Sequence, residues 1–299
     1  MTLKQALSQA RAILTASNIE DASLESELLL RHTLKINRVQ LYLDLSRELS
    51  PKQEAIFWHL VERRQNGEPT AYITGHREFY GHDFYVDSRV LIPRPESELL
   101  VEKALQLAQS CPIFTMADIG SGCGAIAISL ALNLPQTKIY ATDISASALE
   151  VALFNCRKHG VVDRICLLQG DMLEPIPEPV DLIIANLPYV KESELSPIYS
   201  ANFEPLLALN GGSDGLEKIG KLCQQVSMKL RPQGCLLLEI GQGQGEAVIS
   251  LWHRLFPSGT IEVIPDLSGI QRVVSLCLTP NRPDAKLVNG FCLGLKLGK

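Results

Sequence analysis

Apolar residues recur at helical spacing near the start of the chain, where Leu3, Ala6, Leu7, Ala10 and Leu14 share one face. Asp21 is placed to cap a second helix holding Leu24, Leu28 and Leu29, and Asn37 to cap a short third one. Ser50-Pro51-Lys52-Gln53 combines an N-cap serine, a proline at the first helical position and a glutamine at the third. The helix it opens turns Ile56, Phe57, Leu60 and Val61 inward and stops near Gly67. Together these segments predict a small all-helical unit over residues 1–75. A hairpin is expected next, with Glu78-Phe79-Tyr80 and Phe84-Tyr85-Val86 as strands around Gly81-His82. Leu91-Ile92-Pro93-Arg94-Pro95-Glu96 follows as a proline-stiffened linker, so hairpin and linker occupy 76–95.

From about residue 113 the period changes. Strands are expected at Phe114–Ile119, Lys138–Asp143, Ile165–Gln169, Asp181–Asn186, Cys235–Ile240, Thr260–Ile264 and Arg272–Leu278. Amphipathic helices fill most of the gaps, Leu216–Leu230 among them. Such alternation predicts an α/β fold over residues 96–280, a doubly wound, mostly parallel sheet with helices on both faces. The last two strands follow one another directly and suit an antiparallel edge. Residues 281–299 are an extension, in which Asn289-Gly290 reads as a turn before an added edge strand or disordered tail.

Composition narrows the function classes. The 299 residues are 46% hydrophobic and 20% charged, as in ordinary globular proteins. No apolar run reaches the roughly 18 residues a membrane span needs, and the N-terminus lacks the layout of a signal peptide. A net charge of −5, without a Lys/Arg block, argues against gripping nucleic acid by its phosphates. The eight cysteines include no C-x-x-C pair and lie mostly in apolar runs, which suggests buried thiols in a reducing cytoplasm. The six histidines lack metal-ligand spacing, so no metal is expected.

Candidate chemistry begins after the first strand of the sheet. Asp118-Ile119-Gly120-Ser121-Gly122-Cys123-Gly124 leads into a helix, and its glycines allow a tight turn and close approach to a ligand. Asp143 ends the second strand about 20 residues on, suited to two ribose hydroxyls. Asp171 ends the third, suited to an adenine edge, and Met172 offers the ring an apolar face. Gly120, Gly122 and Ala125 also satisfy a relaxed dinucleotide fingerprint, so a nicotinamide cofactor is the rival. Asp118 beside the loop would disfavour a pyrophosphate and favour the ammonium and sulfonium of S-adenosylmethionine.

The fourth strand ends in Asn186-Leu187-Pro188-Tyr189. This resembles the Asn-Pro-Pro-Tyr motif of methyltransferases acting on planar amide or amine nitrogens. Amide nitrogen is a poor nucleophile because its lone pair is delocalised. The Asn186 side-chain oxygen and the Leu187 carbonyl can accept both N–H hydrogens, favouring positive charge on the attacking nitrogen, while Tyr189 stacks on the planar group.

Over roughly residues 1–280 the chain resembles the release factor glutamine methyltransferase family. The resemblance rests on Pro69–Ile73, on Arg77–Gly81, on the linker leading to Glu98, and on the glycine loop with Asn186–Tyr189. It extends to Phe203-Glu204-Pro205, Gly211–Leu216 and Asp266–Gly269 before Arg272. It implies a seven-stranded Rossmann-like methyltransferase sheet, S-adenosyl-L-methionine as cofactor, and a helical N-terminal domain that helps hold the protein substrate. That substrate is the glutamine of the Gly-Gly-Gln loop in peptide chain release factors. By the same resemblance Gly120, Gly122, Gly124, Asp143, Met172 and Asn186 contact the cofactor, and Asn186, Leu187, Pro188 and Tyr189 the glutamine. Leu187 departs from the family's usual proline, but its carbonyl remains and the following Pro188 biases it to extended backbone. The chain is expected to act as a cytoplasmic monomer, touching neither membrane nor nucleic acid directly.

Two alternatives share the architecture. One is glutamine methylation of a ribosomal protein. The other is an adenine-amine DNA or RNA methyltransferase, which would call for a basic groove or a recognition domain. Within the linker, Arg94 and Glu96 are candidate catalytic groups, although an arginine beside prolines is more often an anchor for a loop. His76 and His82 read as surface or hairpin residues, and the chemistry requires no strong base.

Overall fold

In the computed structural model, described over residues 1–195 and 203–278, the chain opens with five helices. They are α1 (Leu3–Ala16), α2 (Ala22–Leu34), α3 (Arg38–Leu43), α4 (Pro51–Gln65) and α5 (Thr70–Thr74). Three begin with a capping box: Thr2 with Gln5, Asn37 with Gln40, and Ser50 with Gln53. Leu3, Ala6, Ala10, Leu14, Leu29 and Phe57 are central to their shared core.

Three local expectations need correcting. Asp21 lies before α2 but in the left-handed region (φ 53°), and its side chain caps nothing. Leu24 and Ile56 are 48% and 42% exposed, because the buried stripes of α2 and α4 run through Ser26, Leu29 and Leu30 and through Phe57, Leu60 and Val61. The hairpin is β1 (Arg77–Phe79) and β2 (His82–Phe84), with Tyr80-Gly81 as its turn rather than Gly81-His82. Both turn residues have positive φ, 51° and 72°, as a two-residue loop matched to strand twist demands.

The sheet contains β3 (Thr115–Ile119), β4 (Lys138–Asp143), β5 (Ile165–Gln169), β6 (Val180–Ala185), β7 (Leu230–Glu239), β8 (Gly259–Pro265) and β9 (Gln271–Leu278). Their order is β5-β4-β3-β6-β7-β9-β8, parallel as far as β7. β9 then inserts antiparallel between β7 and the edge strand β8. β7 starts earlier than the expected Cys235 because Arg231-Pro232-Gln233-Gly234 forms a bulge within the strand, with Gln233 at φ 69°.

Strand periodicity sorts the core into two layers. Met116, Ile139, Ile184 and Leu237 face one way. They meet α6 (Glu98–Ser110), α7 (Ala125–Asn133) and α8 (Ala146–Lys158), through residues such as Leu100, Ile128 and Val151. Ala117, Tyr140, Ile183 and Leu236 face the other way, toward α9 (Glu217–Lys229) and α10 (Gly245–Leu255), which bring Leu222 and Trp252. All five residues of β3 are buried, as a central strand covered on both faces must be. Among the described residues no helix is long and apolar enough to cross a membrane.

The cysteines differ from expectation. Cys235 of β7 sits directly opposite Cys277 of β9, and the two form a disulfide. Their separation of 42 residues hid a pairing that only the strand register creates. Cys123, Cys156 and Cys223 are buried thiols, whereas Cys111 and Cys166 are exposed. Cys292 and the turn expected at Asn289-Gly290 lie outside the described residues.

Candidate active site

The C-terminal ends of β3, β4, β5 and β6 surround a cavity of about 180 Å³. This is the usual ligand position in a doubly wound sheet. The loop after β3 forms one wall. Its Gly120 and Ser121 N–H groups donate to the Thr142 carbonyl at 2.9 and 3.0 Å, closing the loop onto β4. Gly124 caps α7 at φ 83°, and a Cβ there would press within 3.1 Å of Ile128. In front of Gly122 there is open space instead.

Asp143 holds this loop directly. One carboxylate oxygen accepts the Gly122 N–H and the other the Ser145 N–H, each at 2.9 Å. Burial raises its pKa above the usual carboxylate value, against these bonds. Each oxygen retains lone-pair capacity for a ligand hydroxyl. Asp171 and Met172 also line the cavity. Asp171 pairs with Lys221, and Met172 takes a left-handed conformation with its carbonyl accepting from the Thr142 hydroxyl at 2.9 Å.

Asp118, Ser121, Cys123 and Gly124 do not line this cavity. The Asp118 carboxylate is 1% exposed and accepts the Ser121 hydroxyl at 2.7 Å and the Ala127 N–H. Burial pushes its pKa up to about 6, against those bonds. It fastens the loop from behind, and its charge reaches the cavity only indirectly, through its repulsion with the lining Asp143.

A second, smaller cavity of about 60 Å³ adjoins the first. The two share Leu91, Asn186, Leu187, Pro188 and Ala208, and the smaller one adds Tyr189, Arg94 and Glu239 among others. The motif thus forms part of the wall common to both, together with Leu91 and Ala208. Its main chain is braced from the other side: Gly211 N–H donates to the Val190 carbonyl at 2.8 Å, and Gln244 Nε2 to the Tyr189 carbonyl at 3.0 Å. A Cβ on Gly211 would stand 2.7 Å from the Tyr189 Cα, so only glycine fits. The Leu187 side chain is buried in the core layer beneath.

Sequence reasoning missed two residues here. The Asn186 amide Nδ2 donates to Ser97 Oγ at 2.8 Å, and Ser97 Oγ donates to Glu239 Oε2 at 2.5 Å. The Tyr189 hydroxyl donates to Glu239 Oε1 at 3.4 Å. Burial pushes the Glu239 carboxyl up to about 7 and the Tyr189 phenol up to about 12. Ser97 looked like an ordinary helix-start serine, and Glu239 the polar end of an apolar run. A charged residue closing a core strand at the ligand end of the sheet was the available signal. Arg94 meets the anchor expectation, donating to Glu204 at 2.6 Å. His76 pairs with Asp83 on the exposed hairpin, and His82 lies edge-on to His159.

Among the described residues no group of three or more His, Cys, Asp or Glu could hold a metal. The model of the PrmC N-terminal domain matches residues 5–75, and that of the methyltransferase small domain matches residues 95–233. The chain is 43% identical over 274 residues to a release factor glutamine methyltransferase of Moorella thermoacetica, covering 91% of this chain and 97% of that one. A release factor glutamine methyltransferase of Koribacter versatilis is 40% identical over 280 residues, covering 92% and 98%. Among solved structures, the catalytic domain of hMettl16 in complex with MAT2A 3'UTR hairpin 6 aligns with a TM-score of 0.56 at 16% identity, covering 71% of this chain and 81% of that chain. That last likeness speaks to the fold alone. With relatives this similar over nearly its whole length, the chain belongs to the release factor glutamine methyltransferase family.

Proposed function

We propose that this protein transfers a methyl group from S-adenosylmethionine to the side-chain amide nitrogen of the glutamine in the Gly-Gly-Gln loop of a peptide chain release factor. The observation that carries the reading is the meeting of two cavities across Asn186, Leu187 and Pro188. The larger suits the cofactor and the smaller a planar side chain. S-adenosylmethionine supplies a methyl group on a sulfonium, already activated for transfer.

The residues fit that cofactor. Open space before Gly122 leaves room for its backbone to approach a ligand. Asp143 presents a carboxylate suited to ribose hydroxyls, and Asp171 and Met172 a polar edge and an apolar face suited to adenine. Of the three cations lining the cavity, Arg89 is matched by Asp87 and Glu150 and Lys221 by Asp171, which leaves Lys218 as the one without an ion pair among the described residues. That leaves little excess positive charge for a pyrophosphate.

On the acceptor side, Asn186 Oδ1 and the Leu187 carbonyl accept the two N–H hydrogens of the glutamine amide. Both bonds strengthen as the nitrogen becomes positive, which lowers the barrier without a strong base. Tyr189, held by Glu239, stacks on the amide plane and limits its approach. Residues 1–75 hold the release factor, and the linker 76–95 ties that unit to the sheet. A translation factor as substrate supports a cytoplasmic location. Mass spectrometry of a release factor incubated with the protein and labelled cofactor tests the reading. A mass increase of one methyl on the Gly-Gly-Gln glutamine supports it, and an unmodified glutamine beside a methylated ribosomal protein overturns the substrate.

A further inference from the structure

The orientation of the Asn186 amide decides whether the site works, and nothing in its shape enforces it. The two ends of a carboxamide are nearly the same size, so only hydrogen-bond partners determine which end points where. At Asn186 that partner is Ser97 Oγ, which receives the Nδ2 end at 2.8 Å. A serine hydroxyl has one proton, and it can meet either end of the amide by donating or accepting. Ser97 spends that proton on Glu239 Oε2 at 2.5 Å. An ionised carboxylate only accepts, so the Ser97 hydroxyl must point toward it and offer its lone pairs to Asn186. The donor end of Asn186 then lies at Ser97, which leaves Oδ1 for the cavities that Asn186 lines.

We propose that Glu239, acting through Ser97, is a positioning residue that fixes which end of the Asn186 carboxamide meets the substrate amide. The inference rests on the reading of Asn186 Oδ1 as an acceptor for the substrate N–H. The three side chains come from three elements: Ser97 from the start of α6, Asn186 from the end of β6 and Glu239 from the end of β7. Glu239 is 2% exposed, and burying an acid is costly where a neutral residue of the same shape would serve. Glutamine has that shape. What it lacks is the one-way polarity, since its NH2 end could donate to Ser97, turn the hydroxyl round and invert the Asn186 amide. The groups facing Glu239 are the Ser97 and Tyr189 hydroxyls and Arg272, which favour its charged form, and Glu96, which opposes it.

The test uses Glu239→Gln and Ser97→Ala, each made in the wild-type protein and in Asn186→Ala. Turnover and KM are measured on a release factor, and cofactor affinity by calorimetry. In the wild-type background each variant is expected to lower kcat by about tenfold or more, while KM and cofactor Kd stay within about threefold. In Asn186→Ala neither should cost more than about twofold further, because the path they act through is gone. The wild-type kcat should also rise with pH through about 7, and this limb should be absent in Glu239→Gln. Equal losses in both backgrounds, or a loss confined to KM or to cofactor affinity, would overturn the proposal. If Glu239→Gln does not fold, the Ser97→Ala cycle decides alone by the same criteria. If Asn186→Ala alone keeps wild-type turnover, the acceptor reading falls and this inference with it. If Asn186→Ala is impaired but the cycle is additive, only the role of Glu239 falls.

Discussion

The Arg94 guanidinium donates to the Glu204 carboxylate at 2.6 Å, joining segments 110 residues apart in the chain. The same carboxylate accepts the Ile92 N–H at 3.2 Å, so one acid holds the linker by both side chain and backbone. Glu204 is the more buried partner, 12% exposed against 41% for Arg94. Glu204→Ala therefore strands two donors where Arg94→Ala removes one. We expect Glu204→Ala to lose about 1–2 kcal/mol of stability and Arg94→Ala about half of that. Thermal melts of the two variants check the order, and an equal or reversed effect would show that the linker is held elsewhere.

Asp143 gives a test of the cofactor side. It supports the Gly122 N–H and lines the larger cavity, so its removal loosens the loop and deletes the acceptor proposed for ribose hydroxyls. Asp143→Ala is expected to weaken S-adenosylmethionine binding by about 2–3 kcal/mol. Calorimetry should find binding of S-adenosylmethionine and its demethylated product, and none of NAD. Tighter binding of NAD would reverse the cofactor assignment.

These sites differ in how well the sequence revealed them. Asp143 was legible because a strand end about 20 residues past a glycine loop has a place fixed by chain geometry. The bounds of β4 and β5 were legible for a similar reason, since each is an apolar run closed by polar residues. Asp118 was visible as a residue but not in its orientation. Strand alternation says which face a side chain takes and nothing of which neighbour claims its carboxylate, here Ser121. Ser97 and Glu239 stand 142 residues apart, and their contact exists only once β7 pairs with β6. The Cys235–Cys277 disulfide was hidden likewise, by a register set only when β9 inserts beside β7. Local chemistry was readable, and partnerships made by the sheet order were not.

Tyr72 sets the place to divide the chain for a truncation test. Its hydroxyl donates to the Val90 carbonyl at 2.5 Å, and its ring packs in the sheet's core layer rather than among the N-terminal helices. Deleting residues 1–70 keeps it. No residue lining the larger cavity lies before Arg89. The truncated protein should hold the cofactor within about threefold of the full chain while losing most release-factor methylation. Equal loss of both, in a sample that still melts cooperatively, would contradict the division of labour.

The stability of the protein should carry the signature of Glu239. Burial pushes this carboxyl from 4.5 up to about 7, so between those values the folded state binds the proton that the unfolded state has released. Stability then falls as pH rises through that window, and the loss is complete above about 7. Glu239→Gln has no such proton. Its melting temperature relative to wild type should therefore climb between pH 5 and pH 8, whatever its offset at pH 5. A constant difference across that range would mean that Glu239 titrates as an ordinary surface acid.

Asn186 and its neighbour give the sharpest test of the chemistry. On the proposed mechanism most release-factor affinity would come from a broad protein surface, whereas the Asn186 oxygen would contribute a bond that strengthens as the attacking nitrogen becomes positive. Losing one such preorganised group typically costs about 10²–10³ in turnover, or roughly 3–4 kcal/mol. Asn186→Ala should lower kcat by that order and leave release-factor affinity nearly unchanged. Leu187→Pro probes the other acceptor. Proline keeps the main-chain carbonyl and favours the extended geometry that Pro188 already imposes. It gives up the packing of a side chain that is buried in the core layer and lies against Gly120. The expected result is a lower melting temperature with turnover retained within about tenfold, because the motif uses a backbone oxygen and not the leucine itself. Near-normal turnover in Asn186→Ala under saturating cofactor would remove this residue from the mechanism. A collapse of kcat in a well-folded Leu187→Pro would mean instead that the leucine side chain shapes the acceptor cavity.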